Sequence, residues 1–409
     1  MKRLTDIDPS VAGRVLQAID DDDVVAFLRE LIRVPSVNPP GDVSAAIRLC
    51  AEKLAAAGFE TKTVGATAEQ MNVVGTLTGS DTGPRLALNA HVDVVPIGDA
   101  AAWSHSPFGG EIVNGRIYGR GAGDDKASVA AQIMAGVALA RSGVPLTGAL
   151  IVTAVADEET GGQLGAGYIV REGYVDADYV IVGEQTMNQI CVAERGAVGI
   201  QVSVLGTTGH AAAPWEGVNA IEGMGRVITA LREELWPVLA GRTHRYLPAS
   251  TATISMIDGG VKTNVIPDSC DIYVDRRILP GETVEGVVAE IKSLAEQAVG
   301  GVTGLRVEFT TKLSRLARES DPDSPVVRAL QTATRFLGKE PVLTGFFAGT
   351  DVKHFAPKGW PTVVMGPGHP STAHTPDEWI GLDEVLEATR LYALTALAIL
   401  GDRDGTAAE

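Results

Sequence analysis

Hydrophobic and polar positions follow two different periods along this chain. Apolar residues spaced three and four apart predict amphipathic helices at residues 23–33, 43–57, 126–141 and 164–172. Short apolar runs between them predict strands at residues 72–76, 85–90, 150–156 and 179–182. Strands that alternate with helices are typical of an α/β fold with an open, mostly parallel sheet flanked by helices.

The pattern changes near residue 194. Segments there follow the order strand, helix, strand, strand, helix, strand, at residues 200–205, 219–235, 251–255, 271–275, 284–298 and 305–310. That order is typical of a ferredoxin-like α+β module. A helical pattern and an apolar strand then resume the first type of organisation. We therefore predict one domain in two parts, residues 1–194 and 313–409, with a second domain inserted at 195–312.

Composition narrows the possible partners and locations. The chain has 409 residues, 45% of them hydrophobic, and its formal net charge of −17 disfavours nucleic acid or an anionic membrane as a partner. Its cysteines, Cys50, Cys191 and Cys270, show neither a CxxC spacing nor a disulfide framework. The sequence has no signal-peptide pattern and no apolar run long enough to cross a membrane. These features predict a cytoplasmic protein.

Residue types that bind metals follow the predicted strands. They are His91, Asp93, Glu158, Glu159, Glu184 and His374, and Asp124 lies in a loop that opens a helix. Because the carboxyl ends of parallel strands meet at one edge of a sheet, these side chains are expected to converge there. Imidazoles among carboxylates are typical ligands of divalent metals, and carboxylates crowded without cations would repel each other. The sequence therefore predicts two divalent metal ions.

The expected arrangement places Asp124 between the two metals. Its two carboxylate oxygens would bridge the ions, with His91 and Glu184 completing one site and Glu159 and His374 the other. Zinc is the expected metal, although cobalt or manganese would also accept these ligands.

Two further carboxylates are predicted to serve catalysis. Asp93 lies two residues after His91 in an extended segment, so both side chains face the same side and Asp93 can orient the imidazole. Glu158 and Glu159 are neighbours and project in different directions. One can therefore bind a metal while Glu158 acts as the general base for the attacking water.

Five segments resemble the metal-site motifs of a known family. They are HVDVVP at 91–96, GRGAGDDK at 119–126, ADEETGG at 156–162, VGEQ at 182–185 and AHTPDEW at 373–379. In order and content they are similar to those of the dizinc amidohydrolases and exopeptidases, the family of acetylornithine deacetylase, succinyl-diaminopimelate desuccinylase, aminoacylase and the folate-cleaving glutamate carboxypeptidase. The resemblance covers nearly the whole chain. It implies a zinc-exopeptidase-like fold, the same metal ligands and base, and an inserted domain that serves as a dimerisation lid in a homodimer.

The resemblance also implies a catalytic histidine in the inserted domain. The segment GTTGHAAAPWEGVNAI matches the family motif whose histidine, here His210, reaches the active site of the dimer partner. Its implied role is to stabilise the tetrahedral oxyanion.

Substrate-binding residues are implied in the same way. The segments TNVIPD and VDRR match the family positions of Asn264 and Arg277, with Arg276 as the adjacent alternative. Together with the turn that contains Gly349 and Thr350, they would hold a substrate carboxylate, a task suited to the bidentate fork of arginine.

These residues predict metal-dependent hydrolysis of the amide bond of an N-acylated amino acid or a similar small carboxylate-bearing substrate. The alternatives are a dipeptidase or carboxypeptidase, or a hydrolase of an unusual amide or arylamine, because loops and lid decide the pocket shape. A protein of another class, a catalytically silent metal-binding scaffold, would be expected to have lost Glu158 or a ligand. Every one of those positions is filled.

Overall fold

The computed structural model describes residues 7–401. The two ends of the predicted first domain, residues 1–6 and 402–409, lie outside the described residues. Within this range the chain forms two compact units. The first comprises the chain up to Val192, Ser320–Thr344 and the chain from Thr350 onward, and the second comprises Ala193–Glu319 and Gly345–Gly349. The second unit extends beyond the predicted insertion, 195–312, at both ends.

Helices and strands alternate along the described chain. The helices are α1 (Pro9–Gln17), α2 (Asp21–Arg33), α3 (Ser44–Ala56), α4 (Lys126–Ser142), α5 (Ala166–Arg171), α6 (Ala220–Ala230), α7 (Trp236–Ala240), α8 (Val284–Val299), α9 (Pro325–Phe336), α10 (Val352–Phe355) and α11 (Leu382–Leu400). The strands are β1 (Glu60–Gly65), β2 (Met71–Thr78), β3 (Ser80–His91), β4 (Glu111–Val113), β5 (Arg116–Tyr118), β6 (Thr147–Val155), β7 (Tyr179–Val182), β8 (Ile190–Glu194), β9 (Gly196–Leu205), β10 (Gly209–His210), β11 (Thr251–Gly259), β12 (Val265–Ile266), β13 (Ser269–Ile278), β14 (Arg306–Arg315), β15 (Arg318–Glu319), β16 (Leu343–Phe346), β17 (Thr362–Val364) and β18 (Trp379–Gly381). None of the helices in residues 7–401 is long and apolar enough to cross a membrane.

The first unit is built on one large sheet in the order β1-β2-β6-β3-β7-β17-β8. The central strands β6, β3, β7 and β17 are parallel, and β1, β2 and β8 pair antiparallel at the flanks. Helices α4 and α11 pack on β3 and β6, and α9 packs on β7 and β17. The predicted open, mostly parallel sheet with flanking helices is therefore confirmed.

Sequence explains why the centre of this sheet is buried on both faces. β6 reads TGALIVTAV, a continuous apolar run without alternation, and its residues from Gly148 to Val155 are all buried. Such runs are typical of parallel strands covered by helices on both sides. α4 is rich in alanine and lies close to the sheet. Its Gly136 leaves room for Phe59, because a Cβ there would lie 2.8 Å from Cζ of the ring.

The second unit contains an antiparallel sheet in the order β11-β13-β9-β14. In chain order its elements run β9-α6-β11-β13-α8-β14, and α6 and α8 pack on β9. This connectivity and strand order are those of a ferredoxin-like fold, as predicted. Its core contains Ile200, Val202, Ile272 and Ile291. Next to this sheet, the end of β8 pairs with β15 at Ala193–Glu319 and Glu194–Arg318, which is why the unit extends beyond the predicted insertion.

Candidate metal centre

The parallel strands end side by side, and each end carries a predicted site residue. His91 is the last residue of β3, and Glu184 comes two residues after β7. Glu158 and Glu159 lie in a 3-10 turn, Glu158–Thr160, that follows β6. His374 lies in the loop between β17 and β18. Because β6, β3, β7 and β17 are consecutive in the sheet, their ends bring residues from distant parts of the sequence to one edge.

Asp124 lies between the two histidines. Its Oδ1 is 3.2 Å from Nε2 of His91, and its Oδ2 is 3.3 Å from Nε2 of His374. Burial opposes ionisation of this carboxyl, but hydrogen bonds with both imidazoles hold the pKa of Asp124 below its usual value. The two oxygens of one carboxylate thus face two different potential ligand sets.

Potential ligand atoms form two groups, and Asp124 belongs to one of them. The ligand atoms of Asp124, Glu159 and His374 lie within 4.8 Å of one another, and Nε2 of His374 is 3.2 Å from a Glu159 oxygen. The ligand atoms of His91, Glu158 and Glu184 form a second group within the same distance. Imidazole nitrogens and carboxylate oxygens are the donors that zinc and similar divalent metals use.

Negative charge is crowded at these groups. Burial raises the pKa of the Glu184 carboxyl well above its usual value, and the carboxylates of Asp124 and Asp125 raise it further. Burial likewise raises the pKa of Glu159 to about 7. Hydrogen bonds with Asp124 and Glu159 raise the pKa of His374 to about 10. Divalent cations would neutralise this charge, so the residues fit two metal ions.

Asp93 supports three site residues from a fully buried position. Its backbone oxygen lies 3.0 Å from Nδ1 of His91, and its Oδ1 is 3.4 Å from the same nitrogen, so Nε2 faces Asp124. Its carboxylate also accepts hydrogen bonds from the backbone N–H groups of Glu158 and Glu159, at 3.2 and 3.3 Å. Asp93 therefore fixes the turn after β6 as well as the imidazole that it was predicted to orient.

Sequence reasoning missed Glu378. Its buried carboxylate pairs with the guanidinium of Arg120 at 2.5 Å and accepts hydrogen bonds from the backbone N–H groups of Gly123 and Asp124 at 2.9 and 3.0 Å. Glu378 lies four residues after His374, inside the motif AHTPDEW, which was the available signal. Glu378 therefore links the loop that carries Asp124 to the loop that carries His374.

Sequence reasoning also missed Lys353. Its ammonium donates a hydrogen bond to Oε1 of Glu158 at 3.1 Å. The residue lies on α10, three positions after Thr350 of the predicted substrate-binding turn. The nearness of Lys353 to this turn was the only signal for it in the sequence.

Two of the predicted residues in the second unit are neighbours. His210 on β10 pairs with Val265 on β12, next to Asn264, and the N–H of Ala211 donates to the Asn264 carbonyl at 3.1 Å. The N–H of Ala212 donates to Nδ1 of His210 at 3.0 Å. A neutral His210 therefore carries its proton on Nε2, which makes that nitrogen a hydrogen-bond donor.

The two adjacent arginines of β13 differ in their surroundings. Arg276 is fully buried, and its guanidinium pairs with Glu282 at 2.6 Å. The side chain of Arg277 is 37% exposed and pairs with Asp275. Arg276 shares the buried face of β13 with Val274, whereas Arg277 lies on the opposite face. The sequence analysis left open which of the two arginines would bind the substrate.

The predicted turn residues Gly349 and Thr350 belong to different units. Gly349 ends the short segment of the second unit, and Thr350 begins the following segment of the first. Thr350 is fully buried, and its hydroxyl accepts a hydrogen bond from the N–H of Val352 at 3.2 Å.

Comparisons with known proteins give consistent matches. The model of the family described as peptidase family M20/M25/M40 matches residues 87–398. Succinyl-diaminopimelate desuccinylase of Methylorubrum populi is 30% identical over 391 residues, which cover 91% of this chain and 97% of the relative. A tripeptidase of Staphylococcus aureus has a TM-score of 0.77 at 23% identity, covering 93% of this chain and 99% of its own. The YXEP protein of Bacillus subtilis, a dinuclear metal-binding peptidase of the M20 family, has a TM-score of 0.71 at 18% identity, covering 96% and 99%. At these identities the two structures show a shared fold.

Proposed function

The chain belongs to peptidase family M20/M25/M40, and we propose that it hydrolyses the amide bond of an N-acylated amino acid or a similar small carboxylate-bearing substrate. The predicted family is confirmed, and with it the protein is a metal-dependent hydrolase. The observation that carries the proposed reaction is the position of Asp124. Its two oxygens face His91 and His374 at 3.2 and 3.3 Å, as a carboxylate that bridges two metals requires.

We assign five residues to the metals. His91, Asp124 and Glu184 would hold one ion, and Asp124, Glu159 and His374 the other. When bound, two divalent ions polarise the scissile carbonyl and lower the pKa of the attacking water towards about 7. Zinc suits this mixture of imidazole and carboxylate donors, and cobalt or manganese would be accepted by the same donors.

Glu158, Asp93 and His210 have three different roles in the proposed reaction. Glu158 takes a proton from the attacking water and passes it to the leaving amine. Asp93 holds the backbone of Glu158 in place at 3.2 Å and keeps Nε2 of His91 directed at the ligand cluster. His210 donates a hydrogen bond from its Nε2–H group to the oxyanion, a role that the hydrogen bond from Ala212 to Nδ1 favours.

Substrate recognition is assigned to the second unit. Arg277 and Asn264 would bind the substrate carboxylate, with the turn at Gly349 and Thr350. Arg277 suits this role better than Arg276, because the guanidinium of Arg276 is fully buried against Glu282. Since His210 and Asn264 are neighbours, one ribbon would deliver both the oxyanion donor and a carboxylate ligand.

The N-acyl substrate class is favoured by the desuccinylase of Methylorubrum populi, which is similar along nearly its whole length. We further propose a homodimer, in which the ferredoxin-like unit is the dimerisation lid and His210 acts on the partner's site. A cytoplasmic location fits the three cysteines, which are all buried and form no disulfide with one another. The net charge of −17 disfavours nucleic acid and membrane partners.

Amide hydrolysis by metal-stripped and zinc- or cobalt-restored protein tests this proposal. The panel contains N-acetyl and N-succinyl amino acids, other N-acyl amino acids, and dipeptides. We expect metal-dependent turnover, highest on an N-acyl amino acid. Turnover of dipeptides alone would replace the deacylase with a dipeptidase. Two bound metals without turnover on the panel would contradict the proposed substrate class.

A further inference from the structure

Glu158 belongs to one of the two groups of potential metal ligands. A carboxylate oxygen of Glu158 lies within 4.8 Å of the ligand atoms of His91 and Glu184, so the same side chain is placed to bind a metal directly. A carboxylate that binds a metal is a poor proton acceptor, because the metal withdraws its electron pair. A base at this position therefore requires something that keeps it off the metal.

Lys353 lies next to the Glu158 carboxylate and can hold it away from a metal. Its Nζ donates to Oε1 of Glu158 at 3.1 Å, and both side chains are largely buried, with exposures of 15% and 11%. Burial makes the attraction between the ammonium and the carboxylate stronger than it would be in water. One oxygen of Glu158 is thus engaged by a fixed cation, and the other remains for a water proton.

The ammonium of Lys353 is itself held by the central sheet. Oδ1 of Asp351 lies 3.8 Å from Nζ, and Asp351 is almost completely buried. Oδ2 of Asp351 accepts a hydrogen bond at 3.2 Å from Asn89, whose side-chain oxygen in turn accepts one from Thr153 at 2.8 Å. Asn89 lies on β3, two residues before His91, so the strand that carries a potential ligand also sets the position of the cation.

We propose that Lys353 is a positioning residue that holds Glu158 away from the metals and thereby keeps it a proton acceptor. This inference rests on the proposed function of Glu158 as base. Lys353 transfers no proton in the proposed reaction and acts only through Glu158. It competes with the metal for one carboxylate oxygen, and the chain from Asn89 through Asp351 supplies the geometry of that competition.

Three variants test the role of Lys353. Lys353→Met removes the cation but keeps much of the side-chain volume, and Lys353→Arg keeps the cation. Lys339→Met is the matched control, because Lys339 also pairs with a glutamate, Glu387 at 2.6 Å, but lies outside the site. Circular dichroism and thermal unfolding of each metal-free protein establish that all three fold.

Zinc binding and zinc coordination provide readouts that do not depend on turnover. For Lys353→Met we expect two zinc ions bound at least as tightly as in the wild type, measured by competition with a chelating dye. A crystal structure of the zinc-loaded variant should show a Glu158 oxygen at a bonding distance of about 2.0–2.2 Å from zinc. The zinc-loaded wild type should retain the contact between Glu158 and Lys353. Weaker zinc binding by the variant, or a Glu158 that stays off the metal without Lys353, would overturn the proposal.

Steady-state kinetics provide the second readout, with the panel substrate that the wild type hydrolyses fastest. Loss of the base predicts a fall in kcat of about 100-fold for Lys353→Met with KM changed less than about twofold, because general-base catalysis contributes at least that much. Lys353→Arg should recover part of kcat, and Lys339→Met should match the wild type. An unchanged kcat in Lys353→Met would refute the role. If the wild type hydrolyses no substrate of the panel, the proposed function fails, and the zinc coordination still decides the role of Lys353.

Discussion

Glu378 accepts a hydrogen bond from the backbone N–H of Asp124 at 3.0 Å, although the two residues are 254 positions apart in the sequence. Arg120 pairs with the other oxygen of the same carboxylate, and both side chains are almost completely buried. This contact ties the loop of Asp124 to the loop that carries His374. The distance between two potential metal ligands is therefore set by a residue outside both groups of potential ligands.

Replacing Glu378 should weaken the metal site that uses Asp124 and His374. We expect Glu378→Ala to lower zinc affinity at that site by about 10- to 100-fold, as loss of a ligand-orienting partner does. Because Arg120 would be left buried without its carboxylate, the free energy of unfolding should also fall by about 3–5 kcal/mol. Chelator competition and urea unfolding of the metal-free protein measure the two effects.

The control for Glu378 is its neighbour, Asp377. Its carboxylate accepts hydrogen bonds from the N–H groups of Ser104 and His105 at 2.8 and 3.0 Å, and none from the Asp124 loop is seen in the described structure. Asp377→Ala should keep wild-type zinc affinity. Equal zinc binding by both variants would show that Glu378 does not position the metal ligands.

Glu158→Gln should remove the base while leaving the metals in place. Glutamine has nearly the same shape but does not accept the water proton, so kcat should fall by at least about 100-fold. Metal content, measured by mass spectrometry, should remain at two ions per chain. Turnover close to that of the wild type would exclude Glu158 as the base.

The two arginines of β13 should respond differently to substitution. Arg277→Met should raise KM about 10- to 100-fold, because a charge-assisted hydrogen bond to the substrate contributes about 1.5–3 kcal/mol. Arg276→Met should instead lower the free energy of unfolding, because it removes the buried guanidinium that pairs with Glu282 at 2.6 Å, and should leave KM near its wild-type value. Kinetics and urea unfolding of both variants test this assignment. A raised KM in Arg276→Met together with an unchanged KM in Arg277→Met would assign substrate binding to Arg276 instead.

Glu282 should make the stability of the protein depend on pH in the acid range. Burial opposes ionisation of its carboxyl, but hydrogen bonds from Ser250, the Leu279 N–H and Arg242 hold the pKa of Glu282 below its usual value of 4.5. The unfolded chain thus binds the proton first as the pH falls. The stabilisation by Glu282 is complete above about pH 4.5 and is lost as the pH falls through its folded-state pKa.

Urea unfolding of the metal-free protein between pH 3 and 6 tests this pH dependence. Glu282→Gln should be less stable than the wild type at pH 6, and the difference should narrow towards pH 3. A difference that stays constant across this range would show that the carboxyl does not titrate in the expected way.

Mixing variants tests whether His210 acts on the site of a partner subunit. His210→Ala and Glu158→Gln chains each lack one component of the proposed site. A heterodimer of the two would contain one site with both components intact, so mixing should restore activity that neither variant has alone. Heterodimers isolated with two different affinity tags must remain inactive if His210 serves only its own chain.

The sequence was sufficient to identify the residues at the strand ends. Apolar runs followed by His91, Glu159 and Glu184 are visible without any structure, and the rule that parallel strands end at one edge predicts that these residues meet. The ferredoxin-like unit was likewise predictable from the order of its strands and helices. Both inferences use local patterns that a chain shows wherever it forms regular structure.

Other features depended on contacts between distant segments. Lys353 reaches Glu158 across 195 positions, and neither α10 nor the turn after β6 has a periodicity that relates the two residues. The sequence left open whether Arg276 or Arg277 binds the substrate, because the partner that buries Arg276 lies in the turn after β13. A hydrogen bond between side chains leaves no repeating pattern in a sequence, because it fixes only two positions.

The sequence by itself thus determined the fold, the family and the kinds of ligand atoms at the site. The period of the hydrophobic positions and the residue types that follow each strand are properties of short segments, so they can be read directly from the sequence. Only the tertiary structure decided which groups hold the potential ligands and the proposed base in place. Asp93 accepts a hydrogen bond from the N–H of Glu158, Glu378 accepts one from the N–H of Asp124, and Lys353 donates one to the carboxylate of Glu158. These relationships arise when the sheet brings loops together, since distance in space, and not separation along the chain, sets the strength of a hydrogen bond or an ion pair.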